Sequence, residues 1–206
     1  MSASEPIPVE TFFAAPRFSR ARISPDGSRI AFLAPWRDRL NLFVRAAGPA
    51  DGEDRGAARR LTADAHRSIE AFCWTPDSAF ILFLQDMKGD ENWHLHRVAV
   101  ADDAPRPIDL TPFPGVRVID FAFSPADPGS IFLQMNARDP ALADLHQLDL
   151  ATGDLRTVAE NPGRFVHWLP IGQGPAHAVV VDAAGDYVLA RYEDGAFRPI
   201  ATFAGG

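Results

Sequence analysis

Short apolar runs separated by polar turns recur along the whole chain, and three of the turns share one pattern. They read SPDG at residues 24–27, TPDS at 75–78 and SPAD at 124–127, so their first residues lie 51 and 49 positions apart. Ser or Thr, then Pro, then Asp and Gly are the residues favoured in a type I turn between two antiparallel strands. A repeat of about 40–50 residues is typical of the blades of a β-propeller.

Each turn lies inside a repeat of four predicted strands. We predict blades at residues 17–63, 66–113, 116–161 and 163–204, the last with a Gly-Gln-Gly-Pro turn at 172–175 in place of the Pro-Asp turn. Two short helices are predicted, at residues 9–15 and 139–145. A partial propeller domain is thus expected to fill residues 1–206.

Several predicted strands are apolar on both faces, among them FILFL at residues 80–84 and VVV at 179–181. A half-exposed sheet alternates apolar and polar residues, whereas stacked propeller blades cover each other on both faces. The prediction is therefore an all-β fold, a β-propeller of about four four-stranded blades that form an incomplete, open propeller.

Charge and cysteine content exclude several classes of function. The net charge is −7, Lys88 is the only lysine, and the arginines are scattered, so we expect no nucleic-acid partner. The single cysteine, Cys73, cannot form an internal disulfide, and its apolar surroundings indicate a buried side chain. We find no basic-then-apolar leader and no apolar run of membrane-spanning length, so we predict no membrane partner and a cytoplasmic location.

Two segments carry a resemblance to a known family. PVETFFAAPRFSRARISPDGSRIAFLAP at residues 8–35 resembles the opening of serine peptidases of the prolyl oligopeptidase family (S9), especially the acylaminoacyl-peptidase-like branch. QDMKGDENWHLHRV at 85–98 is similar to that family's Gly-Asp-Glu-Asn stretch, with His96 where the branch often has Tyr. The SPDG turns alone are less specific, because TolB-like propellers share them.

The resemblance implies a propeller that covers a C-terminal α/β-hydrolase domain and admits only short peptides to it. The hydrolase domain holds the catalytic Ser, Asp and His, and a G-x-S-x-G pentapeptide, which marks its nucleophile, does not occur in these 206 residues. We therefore expect no catalytic residue and no activity in this chain alone. Its expected partners are peptide substrates of the parent enzyme and the missing hydrolase domain.

Asp90 and Glu91 are the candidate substrate-binding residues, because they lie on a loop between two apolar strands. Adjacent carboxylates can bind the free amino terminus of a peptide. They can equally be solvated loop residues, or hold an arginine between blades. His94 and His96 share one strand face, yet no third ligand is evident, so we predict blade packing, no metal and no cofactor.

Three functions compete at this point. The first is a non-catalytic propeller portion that gates substrate access in a serine peptidase. The alternative is a TolB-like or WD40-like propeller that acts as a protein-interaction module. An autonomous propeller enzyme, such as a lactonase or glycosidase, ranks last, because it needs carboxylates or metal ligands at the axis and the sequence offers no convincing set.

Overall fold

The computed structural model describes residues 18–48, 57–124, 127–163, 166–169 and 176–205. Within these ranges the secondary structure is entirely β, in sixteen strands. The first eight are β1 Ser19–Ile23, β2 Arg29–Trp36, β3 Arg39–Ala46, β4 Arg59–Arg60, β5 Phe72–Trp74, β6 Phe80–Gln85, β7 His94–Ala99 and β8 Ile108–Asp109. The others are β9 Val118–Ser124, β10 Asp127–Asp139, β11 Leu142–Asp149, β12 Leu155–Ala159, β13 Val166–Leu169, β14 His177–Val181, β15 Tyr187–Glu193 and β16 Ala196–Phe203.

The strands form four sheets of four, in the orders β1-β2-β3-β4, β5-β6-β7-β8, β9-β10-β11-β12 and β13-β14-β15-β16. In each sheet the strands follow one another in sequence order, which is the arrangement of a propeller blade. The predicted all-β class with four four-stranded blades is confirmed. The chain divides into two compact units: the described residues up to Phe83 together with Arg97–Ile108, and Leu84–His96 together with the described residues from Asp109 onward.

The repeated turns have the same internal hydrogen bonds in the first two blades. Ser24 Oγ donates to Asp26 Oδ1 at 2.5 Å and accepts from the backbone N–H of Arg29 at 3.0 Å. Thr75 Oγ1 does the same with Asp77 and Phe80, at 2.6 Å and 3.0 Å. The hydroxyl thus bonds both the aspartate within the turn and the backbone that follows it, which explains why Ser or Thr begins these turns.

The fourth turn position has a left-handed backbone in both repeats, with φ of +73° at Gly27 and +60° at Ser78. Glycine adopts this conformation without cost, whereas serine does not. The hydroxyl of Ser78 accepts a hydrogen bond from the backbone N–H of Asp26 at 3.1 Å, which ties the second turn to the first.

Each unit has its own apolar core. In the first unit the buried side chains are Ala31, Leu33, Leu42, Val44, Leu61, Ile69, Phe72, Trp74, Ile81, Phe83, Val98 and Val100. In the second they are Leu145, Ala159, Trp168, Ala176, Ala178, Val180, Val188 and Ala190. Ile81, Leu82 and Phe83 are buried in succession, as expected for a strand covered on both faces.

One predicted helix is wrong, and two predicted features lie outside the described residues. Residues 139–145 comprise the last residue of β10, a two-residue turn at 140–141 and the start of β11, with Asp139 paired to Leu142. Asp139 Oδ1 accepts the backbone N–H of Ala141 at 2.8 Å, so the aspartate stabilises a tight turn rather than a helix start. The predicted helix at 9–15 and the turn at 172–175 are the features outside the described ranges.

Candidate functional site

The loop between β6 and β7 carries both predicted binding residues, Asp90 and Glu91, and belongs to the second unit. Its tip is a tight turn in which the backbone N–H of Asp90 donates to the carbonyl of Met87 at 3.2 Å. The two central residues, Lys88 and Gly89, have φ of +58° and +88°. Positive φ at both central positions is the type I′ geometry that suits a hairpin of twisted strands.

Asp90 is a structural residue of this loop. Its Oδ1 atom accepts the backbone N–H of Met87 at 3.2 Å and that of Asn92 at 3.1 Å. Its Oδ2 atom lies 3.4 Å from Nδ2 of Asn92. Both carboxylate oxygens thus accept hydrogen bonds that support the shape of the loop.

Glu91 is placed differently. Its backbone has φ of +59°, and its N–H donates to Oδ2 of Asp86 at 3.3 Å. Asp86 is 3% exposed, so a buried carboxylate fixes the backbone of an exposed glutamate. Among the described residues no side chain contacts the Glu91 carboxylate, which leaves it open to a ligand.

The outgoing end of the loop is anchored at β7. His94 Nδ1 lies 2.7 Å from Asp109 Oδ2, with 13% of the histidine side chain and 29% of the aspartate side chain exposed. The N–H of Leu95 donates to Thr111 Oγ1 at 3.0 Å. His94 therefore has a carboxylate partner on β8, the neighbouring strand of its own sheet. Where the chain is described, no group of three or more His, Cys, Asp or Glu side chains is arranged to hold a metal ion.

A second charged cluster lies on β10 and β11. Arg138 donates from Nε to Asp144 Oδ2 and from Nη2 to Asp144 Oδ1, both at 2.8 Å, and the N–H of Asn161 donates to the same Oδ1 at 2.6 Å. Burial raises the pKa of Asp144, but these hydrogen bonds and the arginine charge outweigh it and hold the pKa below its ordinary value. These hydrogen bonds join the β10–β11 hairpin to the backbone at Asn161, so the pair has a structural role.

Burial shifts the pKa of two further ionisable groups, Cys73 and His146, in the direction that favours the neutral form. Burial raises the pKa of the Cys73 thiol to about 11, so it is not a nucleophile at neutral pH. Burial also lowers the pKa of His146, which is 5% exposed and whose Nε2 atom has no partner within the described ranges. The neutral imidazole is therefore the favoured form.

Sequence reasoning missed Asp86 and the Arg138–Asp144 pair. Asp86 precedes the Gly-Asp-Glu-Asn stretch by only a few residues, yet nothing in its sequence context distinguishes a buried aspartate from an exposed one. Arg138 and Asp144 are six residues apart, and they meet only because residues 139–142 form a tight turn. The prediction of a helix over that turn concealed the pair.

The chain is similar in sequence to two peptidases. It is 31% identical over 169 residues to dipeptidyl aminopeptidase BIII of Pseudoxanthomonas mexicana, a match that covers 82% of this chain and 24% of that protein. It is 26% identical over 161 residues to dipeptidyl peptidase family member 6 of Caenorhabditis elegans, covering 75% and 21% respectively. The chain thus spans less than a quarter of the length of these relatives. No protein-family model matches it.

Solved structures share the fold. A puromycin hydrolase superimposes with a TM-score of 0.57 at 22% identity, over 87% of this chain and 28% of the other. A TolB from Agrobacterium tumefaciens superimposes with a TM-score of 0.52 at 13% identity, over 87% and 63% respectively. No helix in the described part of the chain has the length and hydrophobicity needed to cross a membrane.

Sheet order, repeat and structural neighbours define the chain as part of a β-propeller. The sequence relatives then identify it as the N-terminal propeller portion of a peptidase of the S9, or prolyl oligopeptidase, family.

Proposed function

We propose that this chain gates substrate access in a serine peptidase of the prolyl oligopeptidase family, whose chemistry is supplied by a separate hydrolase domain. The observation that carries the proposal is the match of most of this chain to a limited part of dipeptidyl aminopeptidase BIII. The resemblance of residues 8–35 and 85–98 to the family's first two blades supports the same function. Peptides are accordingly the substrate class.

A chimera tests the gating function. This chain replaces the matching segment of the Pseudoxanthomonas mexicana relative, and cleavage of a chromogenic short peptide is compared with cleavage of casein. We expect the chimera to cleave the short peptide and spare casein, and this chain alone to cleave neither. Equal rates on casein for the chimera and for the hydrolase portion without a propeller would contradict gating.

Within this function, Glu91 is the residue that we propose binds the free amino terminus of a peptide. An ammonium group and a carboxylate form a charge-assisted hydrogen bond, and Glu91 has an exposed carboxylate on a backbone fixed by Asp86. Asp90, predicted for the same role, accepts backbone N–H groups of the loop, so we favour Glu91 as the binding residue.

The Glu91→Gln variant of the chimera separates these roles. It removes one charge and keeps the shape, so kcat/KM for peptides with a free amino terminus should fall about tenfold, while acetylated peptides should be unaffected. Lys88→Gln, at the same turn, is the matched control and should change neither. A similar decrease in kcat/KM for peptides with free and with acetylated amino termini would show that Glu91 does not bind the amino terminus.

A protein-interaction module is the second candidate, favoured by the fold shared with TolB over most of both chains. Stable capture of one partner protein by this chain, with no gain of peptide selectivity in the chimera, would favour that function over gating.

A further inference from the structure

The hairpin between β2 and β3 in the first unit carries charges that neither the core nor the proposed function uses. Trp36 ends β2 and Arg39 begins β3, and the two residues are direct cross-strand partners. The turn between them consists of Arg37 and Asp38, with φ of +49° and +60°. Arg37, Asp38 and Arg39 are exposed, and Trp36 is half-buried.

Two guanidinium groups lie over the ring of Trp36. The Cζ atom of Arg37 is 4.6 Å from the ring centroid, and that of Arg60, on β4, is 4.0 Å from it. Both distances are within the range of a cation–π contact, which holds the flat guanidinium against the ring and leaves its N–H edge directed away from it. The guanidinium groups of Arg37 and Arg60 are thus both held at one aromatic ring.

Neither guanidinium has an acceptor among the described residues. No carboxylate of these residues lies within 4.0 Å of either group, and neither group donates a hydrogen bond to them. Two like charges beside one ring repel each other. None of the described carboxylates neutralises them, although the chain has 27 acidic residues. An anion bound at this ring would relieve the repulsion and accept hydrogen bonds from the guanidinium N–H groups.

From this arrangement we propose that Trp36, Arg37 and Arg60 form a carboxylate-binding site for an acidic peptide segment. The guanidinium fork matches the two oxygens of a carboxylate, and the indole offers an apolar surface to the CH₂ groups of a Glu or Asp side chain. A ligand with an apolar stem fits this combination better than an inorganic oxyanion.

The surroundings leave room for such a segment. Arg39 is tethered by its Nε atom to the carbonyl of His66 at 2.9 Å and by Nη1 to that of Asp38 at 2.8 Å. An open depression of about 240 Å³ adjoins it, lined by Arg39, His66, Arg67, Ser68 and Glu70. A peptide that places one carboxylate at Trp36 can therefore extend past Arg39, and Glu70 disfavours a second acidic group there.

Calorimetric titration of the 206-residue chain tests the site. The probes are a tetrapeptide Ac-Ala-Glu-Ala-Ala-NH₂, its Gln counterpart and inorganic phosphate. We expect saturable binding of the Glu peptide, at least fivefold weaker binding of the Gln peptide and of phosphate, and about tenfold weaker binding of the Glu peptide to Arg37→Gln and Arg60→Gln. Arg60→Lys, which keeps the charge and loses the fork, should also weaken binding. Arg22→Gln removes an exposed arginine of the same unit and should leave it unchanged.

Equal affinity for the Glu and Gln peptides would overturn the site, as would phosphate binding as tightly as the Glu peptide. So would an equal loss in Arg22→Gln and Arg37→Gln, because it would show a general effect of net charge. Arg37 is at an exposed turn, so its variant keeps the test valid if Arg60→Gln fails to fold. These probes carry no free amino terminus, so the result is independent of Glu91.

Discussion

The side-chain amide of Gln134 on β10 donates one hydrogen bond to the backbone of Trp168 on β13 and accepts another from it. Its Nε2 atom donates to the Trp168 carbonyl at 2.9 Å, and its Oε1 atom accepts the Trp168 N–H at 3.0 Å. The indole Nε1 of Trp168 donates to the carbonyl of Ala143 at 2.9 Å. Both residues are buried. The third and fourth sheets are separate, so at this point side-chain hydrogen bonds rather than strand pairing join them.

Gln134→Ala should therefore destabilise the chain strongly. The change leaves the N–H and carbonyl of Trp168 buried without partners, and each such group costs about 1–3 kcal/mol. We expect the free energy of unfolding, measured by urea denaturation, to fall by about 2–4 kcal/mol. Gln147→Ala on the neighbouring β11, where the residue is only half-buried, should cost less. Equal losses in the two variants would exclude a special role for Gln134.

Ser78 offers a test in which two effects oppose each other. Ser78→Ala loses the bond to the Asp26 N–H and keeps a Cβ at positive φ, so it should cost about 1 kcal/mol. Ser78→Gly loses the same bond but relieves about 1 kcal/mol of backbone strain, and should be close to neutral. The measurement is the difference in thermal unfolding between the two variants. A glycine variant as unstable as the alanine variant would mean that the backbone there is not strained.

The stability of the chain should depend on pH through His146. Its pKa is lowered from 6.5 by burial, so the unfolded state binds the proton more readily than the folded state. The free energy of unfolding should be constant above about pH 6.5 and decrease as pH falls below it, by at most about 1.4 kcal/mol per pH unit.

His146→Leu should remove this dependence, whereas His66→Gln, at an exposed histidine, should keep it. The pKa of Asp144 is lowered from 3.8, so this group contributes stability that is lost only as pH falls through and below about 3.8, and the decrease just below pH 6.5 belongs to His146. A His146→Leu variant that still loses stability between pH 6.5 and 5 would assign the effect to another group.

The β6–β7 loop should lose its shape when Asp90 is removed. Asp90→Ala deletes the acceptor of the Met87 and Asn92 amides, so hydrogen exchange at these two amides should accelerate about tenfold. Glu91→Ala removes an exposed side chain without such contacts and should leave both rates unchanged. Unaltered exchange rates in Asp90→Ala would show that these hydrogen bonds do not maintain the loop, and Asp90 would then be as strong a candidate for ligand binding as Glu91.

The sequence predicted the blades well, because the determinants of a blade are local. Ser24 and Thr75 start turns whose hydrogen bonds all lie within a few residues. It predicted that Asp90 and Glu91 lie on a loop between two strands, but not that Asp90 accepts the loop amides, because adjacent carboxylates look equivalent in sequence. The Trp36 stack was not foreseen, because Arg60 reaches the ring only through the pairing of β3 with β4.

Three hydrogen bonds hold the loop from Asp86 to Asn92: the backbone N–H of Glu91 donates to Asp86, and those of Met87 and Asn92 donate to Asp90. Because Asp86 is only 3% exposed, a hairpin of an unrelated scaffold that receives this segment must also cover the Asp86 carboxylate if Glu91 is to keep its backbone conformation.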